Sequence, residues 1–234
     1  MNSKIAVVVG GAGQIGCSVI KNLFDVGFQV ICATKPKSGT QNSKSCVDYV
    51  QGDMTKLDQI ENCAQAVFSR YGKIDLVVNV IGKNVKRPLE DIDEAIWQEV
   101  VDSNLKSVFF LCRTFGNYML RGNGGSIINF SSTAGIRALP LSPHYIAAKA
   151  GVIALTEFFA KVYAPKIRVN CIAPGFVLTD DHMPENYANY NSTVGKIPME
   201  QMSSVDEIAE ATLFLANSRT ITGHTLVIDG GLIL

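Results

Sequence analysis

The chain has 234 residues, 47% of them apolar, which is enough to bury a substantial core. Its 21 Lys and Arg balance 21 Asp and Glu, so it lacks the positive field that draws nucleic acid or an anionic membrane. No apolar stretch approaches the ~20 residues needed to span a bilayer, and a small-molecule partner is expected.

Met1-Asn2-Ser3-Lys4 leads straight into the apolar run Ile5 to Val9 without the regions of a secretory signal, so a cytoplasmic location is expected. That run reads as a buried strand. It is followed by Gly10-Gly11-Ala12-Gly13-Gln14-Ile15-Gly16, with G-x-G-x-x-G at Gly11, Gly13 and Gly16, and then by helical periodicity over Ile15 to Val26. Strand, glycine turn and helix in that order suit a diphosphate, because glycines let the backbone approach it and the helix N-terminus offers free N–H groups. An ordinary tight turn would need fewer glycines.

The next strands are Gln29 to Ala33, ending at Thr34, Lys35 and Lys37, and Asp48 to Gln51, ending at Gly52-Asp53-Met54. A helix over Leu57 to Tyr71 precedes the strand Leu76 to Val80, which leads through Asn79-Val80-Ile81-Gly82 towards a long helical pattern over Asp93 to Leu120 containing Asn104. Ser126 to Phe130 is a strand ending at Ser131-Ser132. A helical pattern extends through Ala147 to Tyr163, with Tyr145 and Lys149 spaced i, i+4 so that they share a face. Arg168 to Ile172 and Leu226 to Ile228 are further strands, and Val205 to Asn217 is a further helix. Residues 179–202 lack clear periodicity and form a candidate substrate lid, with Tyr187 and Tyr190 as first candidates to line the pocket.

This alternation predicts an α/β fold: a single Rossmann-type doubly wound domain over residues 1–234, with a mainly parallel sheet of about seven strands and helices on both faces. In such a sheet the ligand lies beyond the carboxyl ends of the strands. Cys17, Cys32, Cys46, Cys63, Cys112 and Cys171 are scattered, without the close pairing of a zinc site or redox dithiol, and are expected to be reduced structural thiols. His144, His182 and His224 are dispersed too, so no metal is expected.

Tyr145-Ile146-Ala147-Ala148-Lys149, with Ser132 thirteen residues before the tyrosine, resembles the Y-x-x-x-K and serine of the short-chain dehydrogenase/reductase family. The resemblance covers essentially the whole chain, through the glycine turn, Gly52-Asp53-Met54, Asn79 to Gly82, Asn104, Pro174-Gly175, Thr222-Gly223-His224 and Gly230-Gly231. It implies a nicotinamide-dependent oxidoreductase in which Tyr145 is the acid of carbonyl reduction or the base of alcohol oxidation. Ser132 then donates to the substrate oxygen, Lys149 holds the nicotinamide ribose, and Asn104 supports a proton-relaying water. A tyrosine has an ordinary pKa near 10, and a Lys149 ammonium beside it is expected to favour the phenolate.

The same resemblance makes Gly10, Gly11, Gly13, Gln14, Ile15, Gly16, Thr34, Lys35, Asp53, Met54, Asn79, Gly82, Tyr145, Lys149, Pro174, Gly175, Val177 and Thr179 candidate cofactor residues. Asp53 is expected at the adenine and Pro174 to Thr179 beside the nicotinamide and diphosphate. Thr34 stands where NAD-preferring folds place an acid, and Lys35 and Lys37 offer charge to a 2′-phosphate, so NADP(H) is favoured over NAD(H).

The turn departs from the family's T-G-x-x-x-G-x-G by Val9 for the threonine and Gln14 for the middle glycine, and Val80-Ile81 replace smaller residues. Phe158, Phe159, Val162 and Tyr163 mark either a core helix or an apolar face of a homo-oligomer, dimer or tetramer.

Lys196-Ile197-Pro198-Met199 and Ser204-Val205-Asp206-Glu207-Ile208-Ala209 resemble the layout of 3-oxoacyl-[acyl-carrier-protein] reductases, which implies a carbonyl or secondary alcohol substrate, carrier-bound in that case. Sugar, polyol and steroid dehydrogenases share the layout. A non-catalytic dinucleotide sensor would have no need to keep Ser132, Tyr145, Lys149 and Asn104 together.

Overall fold

The computed structural model describes residues 3–35, 47–138 and 142–234; Lys37 and Cys46 lie outside them. Seven parallel strands form one sheet: β1 (Ile5–Val9), β2 (Gln29–Thr34), β3 (Val47–Gln51), β4 (Leu76–Asn79), β5 (Gly125–Phe130), β6 (Ile167–Pro174) and, last in the chain, a strand at Thr225–Ile228. The sheet order is β3-β2-β1-β4-β5-β6 followed by the Thr225–Ile228 strand, so the connections reverse direction between β1 and β4. That switch point opens a crevice at the carboxyl edge.

Alternation along β1 explains the layers. Val7 and Val9 join one core with Ile60, Leu111, Phe115 and Phe159, while Ala6 and Val8 join another with Val19, Leu23, Ile208 and Leu215. Helices α1 (Gln14–Asp25) and α7 (Val205–Asn217) therefore cover one face. On the other lie α2 (Leu57–Tyr71), α4 (Ser107–Arg121) and α5 (Pro143–Tyr163), with α3 (Glu94–Val101) leading into α4. Apolar side chains on both sheet faces are what a parallel sheet requires.

The helix expected over Asp93 to Leu120 is interrupted: between α3 and α4 one turn, Asp102–Lys106, is wound as a π-helix and contains Asn104. Asn104 Nδ2 donates to the Val100 carbonyl at 2.8 Å and to the Lys83 carbonyl at 2.6 Å, so the widened turn is tied down by the side chain it displaces. π-turns of this kind recur at functional sites.

Residues 179–202, unpatterned in sequence, carry a 3-10 turn at Asp180–His182 and a short helix α6 (Tyr190–Val194). They are bracketed by a small parallel pair, β7 (Val177–Leu178) and β8 (Ser203–Ser204), so the strand at Thr225–Ile228 is β9. The apolar cluster of α5 is split: Phe159 and Tyr163 are buried in the core, whereas Phe158 and Val162 are 53% and 55% exposed.

Candidate active site

The glycines of the turn serve different purposes. Gly10 has φ +82°, a conformation that disfavours any side chain, and a Cβ there would lie 3.1 Å from the Ile81 nitrogen. A Cβ on Gly11 would strike Ile20 and Cys32, and one on Gly16 would strike the Gly11 backbone, so these two allow α1 to pack tightly on the turn. Gly13, by contrast, is exposed, a Cβ there meeting only the Gly10 carbonyl oxygen at 3.7 Å, and it is the N-cap of α1, with no side chain capping the helix and no acid in its first turn. The bare helix N-terminus and exposed Gly13 form a cradle suited to a diphosphate, which fits the dinucleotide implied by the motif.

Thr34 ends β2, and Lys35 beside it is paired with Asp53, Nζ to Oδ2 3.0 Å. Lys35 and Asp53, assigned separately to phosphate and adenine from sequence, are thus one ion pair. Partial burial pushes the Asp53 carboxyl up, but the Thr55 hydroxyl and N–H together with Lys35 outweigh it and hold the group below the usual range. Met54 lies elsewhere: its side chain is buried in the core under α2.

Asn79 ends β4 fully buried, with neither its amide nitrogen nor its oxygen hydrogen-bonded. A Cβ on the neighbouring Gly82 would sit 2.8 Å from Asn104 Oδ1 and 3.3 Å from Lys149 Nζ. Asn104 and Lys149, 45 positions apart in sequence, therefore converge on the same glycine.

Ser132 follows β5 and caps a 3-10 turn, its Oγ accepting the Ala134 N–H at 3.2 Å. Its side chain also reaches the Tyr145 hydroxyl, and because that contact favours the phenolate it is the serine that donates. Lys149, one helical turn on, has its Nζ over the Tyr145 ring, 5.5 Å from the centroid, and donates to the Phe130 carbonyl at 2.8 Å. Burial brings the Lys149 ammonium down to about 8, with Cys171 opposing the shift. Burial also raises the Tyr145 phenol above its ordinary value, and the Ser132 bond offsets only part of this.

The expected Lys149 stabilisation of a phenolate is thus not the dominant influence on Tyr145. The cation lies against the ring face rather than the oxygen, and desolvation wins. A phenol held protonated is suited to donating a proton. The Phe130 carbonyl that orients Lys149 was invisible in the sequence, as was Ser131, whose hydroxyl donates to the Lys149 carbonyl at 2.7 Å. A main-chain acceptor leaves no residue signature.

Pro174 ends β6, and Gly175 passes so close to Asp229 that a Cβ would lie 2.7 Å from the Asp229 Cβ. Val177 is buried in β7, and Thr179 is the N-cap of the 3-10 turn. The other turn residues, Gln14 and Ile15, begin α1, with Gln14 exposed. Tyr187 is already engaged inside the lid, its ring edge-on to His182 and its hydroxyl 3.2 Å from Thr193 Oγ1. Among the described residues, no helix is long and apolar enough to cross a membrane.

Residues 11–233 match the family described as enoyl-(acyl carrier protein) reductase. The chain is 35% identical to the 3-oxoacyl-[acyl-carrier-protein] reductase FabG of Chlamydia muridarum over 98% of this chain and 97% of the relative. The ligand-free aldohexose dehydrogenase of Thermoplasma acidophilum superposes with a TM-score of 0.89 at 27% identity, covering 99% of this chain and 94% of that one. The actinorhodin polyketide ketoreductase with NADPH gives a TM-score of 0.90 at 25% identity over 98% and 97% of the two chains.

Proposed function

The chain belongs to the short-chain dehydrogenase/reductase family and is a nicotinamide-dependent oxidoreductase of carbonyl or alcohol groups, and from that premise we propose that it reduces a 3-oxoacyl thioester, carrier-bound, using NADPH. The observation that carries the substrate reading is the 35% identity to a 3-oxoacyl-[acyl-carrier-protein] reductase over 98% of the chain, lid included. The dinucleotide, when bound, supplies the hydride.

In this reading the chain's own residues do the rest. Gly10 to Gly16 seat the diphosphate, with Gln14 and Ile15 at the helix start. Lys149 holds the nicotinamide ribose, Asn104, which meets it at Gly82, supports the proton-relaying water, and the unpartnered Asn79 amide lies at the end of β4 before them. Pro174, Gly175, Val177 and Thr179 border the nicotinamide. Ser132 donates to the substrate oxygen, and Tyr145 transfers its phenolic proton as negative charge develops there. Residues 179–202 form the lid of a single catalytic domain.

The reaction belongs to the cytoplasm, where buried thiols such as Cys63 and Cys112 stay reduced. The test is turnover of an acetoacetyl thioester with NADPH. Faster turnover of an aldohexose with an oxidised cofactor would favour the second reading, sugar oxidation, which the likeness to the aldohexose dehydrogenase supports.

The cofactor preference rests on charge. A 2′-phosphate would draw Lys35 from Asp53, whereas Thr34→Asp would place a carboxylate against that phosphate and give a ribose hydroxyl an acceptor. Thr34→Asp should shift the ratio of kcat/KM for NADPH over NADH by roughly tenfold or more towards NADH, about 1.4 kcal/mol. Lys35→Ala should lower efficiency with NADPH alone. A wild type that prefers NADH would overturn the assignment.

For the lid, Tyr190→Ala should alter relative efficiencies among acyl thioesters of different length by several-fold, with a much smaller change in cofactor Kd. Equal effects on every substrate would remove Tyr190 from the pocket.

The α4 and α5 faces meet in an exposed apolar groove formed by Phe109, Phe110, Leu155 and Phe158, which supports a homo-oligomer, dimer or tetramer. Phe158→Glu should lower the mass measured by light scattering towards that of the monomer. An unchanged mass would place the interface elsewhere.

A further inference from the structure

Gln14 is the first residue of α1, next to the exposed Gly13 of the turn, and is itself exposed. Its Oε1 accepts the N–H of Asp180 at 3.0 Å, joining positions 166 residues apart. Asp180 is where the lid begins to wind, and it is bonded on both sides: its own carbonyl accepts Asn186 Nδ2 at 2.8 Å.

The adjoining lid residues are joined to one another. His182 Nδ1 lies 3.0 Å from Thr179 Oγ1 and 3.1 Å from the Val177 carbonyl, and its ring meets Tyr187, whose hydroxyl reaches Thr193. A segment linked in this way moves as a unit. The bond to Gln14 ties the base of that unit to the diphosphate turn.

We propose that Gln14 is a positioning residue that latches the substrate lid to the diphosphate turn, so that closure of the lid and retention of the dinucleotide are coupled. Its carbonyl oxygen competes with water for the Asp180 N–H. Release of this one bond frees the lid base to swing away from the turn, and the dinucleotide beneath leaves more readily. The inference rests on the reading of Gly10 to Gly16 as the diphosphate seat.

Two substitutions remove the two ends of the bond separately. Gln14→Met keeps length and helix propensity but deletes the acceptor. Asp180→Pro deletes the donor at the first position of a helical turn, where proline is accommodated, and Thr179 before it is already extended at φ −117° and ψ 169°.

The experiment measures NADPH dissociation by stopped-flow fluorescence in wild type, both single variants and the double variant. Tryptic cleavage after exposed Lys196 in the ligand-free proteins supplies a second readout. A neutral hydrogen bond predicts roughly two- to tenfold faster dissociation in each single variant, no further increase in the double, and faster cleavage in all three. Additive effects, or an unchanged dissociation rate with either variant, would overturn the latch while NADPH binding and turnover by the wild type keep the functional reading intact. A wild type that binds no dinucleotide would overturn both.

Discussion

Tyr145→Phe should lower kcat for carbonyl reduction by about 10²- to 10⁴-fold while thermal stability and dinucleotide affinity stay close to wild type. The substitution deletes only the phenolic hydroxyl. The ring stays beneath the Lys149 ammonium, and the lost partner of that hydroxyl, Ser132, keeps its bond to the Ala134 N–H.

The direction of the Tyr145 shift adds a pH signature. Burial keeps the phenol protonated above its ordinary value, so between about pH 7 and 10 the fall in reduction rate should follow loss of the Lys149 ammonium, at about 8, and not ionisation of Tyr145. Initial rates with saturating NADPH across that range test this. A folded Tyr145→Phe protein with wild-type turnover would remove Tyr145 from the chemistry.

Lys149→Met is expected to act in opposite directions on activity and stability. Turnover and cofactor affinity should both fall on the proposed reading, since one ammonium lies over the Tyr145 ring and beside Gly82. The ligand-free fold, however, should become more stable at pH 7. A drop from the ordinary 10.5 to about 8 means that burying this cation costs about 3 kcal/mol, of which the lost bond to the Phe130 carbonyl returns about 1.

The sign follows from proton counts. Between about pH 8 and 10.5 the unfolded chain keeps a proton on Lys149 that the folded chain has released, so wild-type stability rises with pH through that window. The methionine variant lacks this term. Its advantage should therefore be near 2 kcal/mol below pH 8 and shrink as pH climbs towards 10.5. Urea unfolding at pH 7 and at pH 9.5 measures it, and a destabilised variant at pH 7 would contradict the burial argument. Active sites commonly carry such strain for function.

The sequence by itself determined the strands and most helices, because local periodicity reports which faces are apolar. Leu57–Tyr71 and Val205–Asn217 form over the spans that their patterns predict, and β1 does likewise. Ser132, Tyr145 and Lys149 stood out because their spacing resembles a known family's motif, and the structure places the Ser132 side chain and the Lys149 Nζ against the two parts of Tyr145, the hydroxyl and the ring face. Gly10 was legible too, since its backbone conformation excludes other residues.

Only the tertiary structure decided how those residues behave. The π-turn at Asn104 depends on the Lys83 carbonyl reaching it from another segment, and helical periodicity is blind to that. Lys35 and Asp53 are paired because adjacent strands bring their ends together, and α5 divides its aromatic residues between core and surface according to what packs on each side. The pKa of Tyr145 moves up, against the expectation from a neighbouring cation, because desolvation depends on everything packed around the ring. Gln14 meets Asp180 for the same reason: contacts between distant segments are set by how whole elements dock, and a local pattern carries no record of the docking.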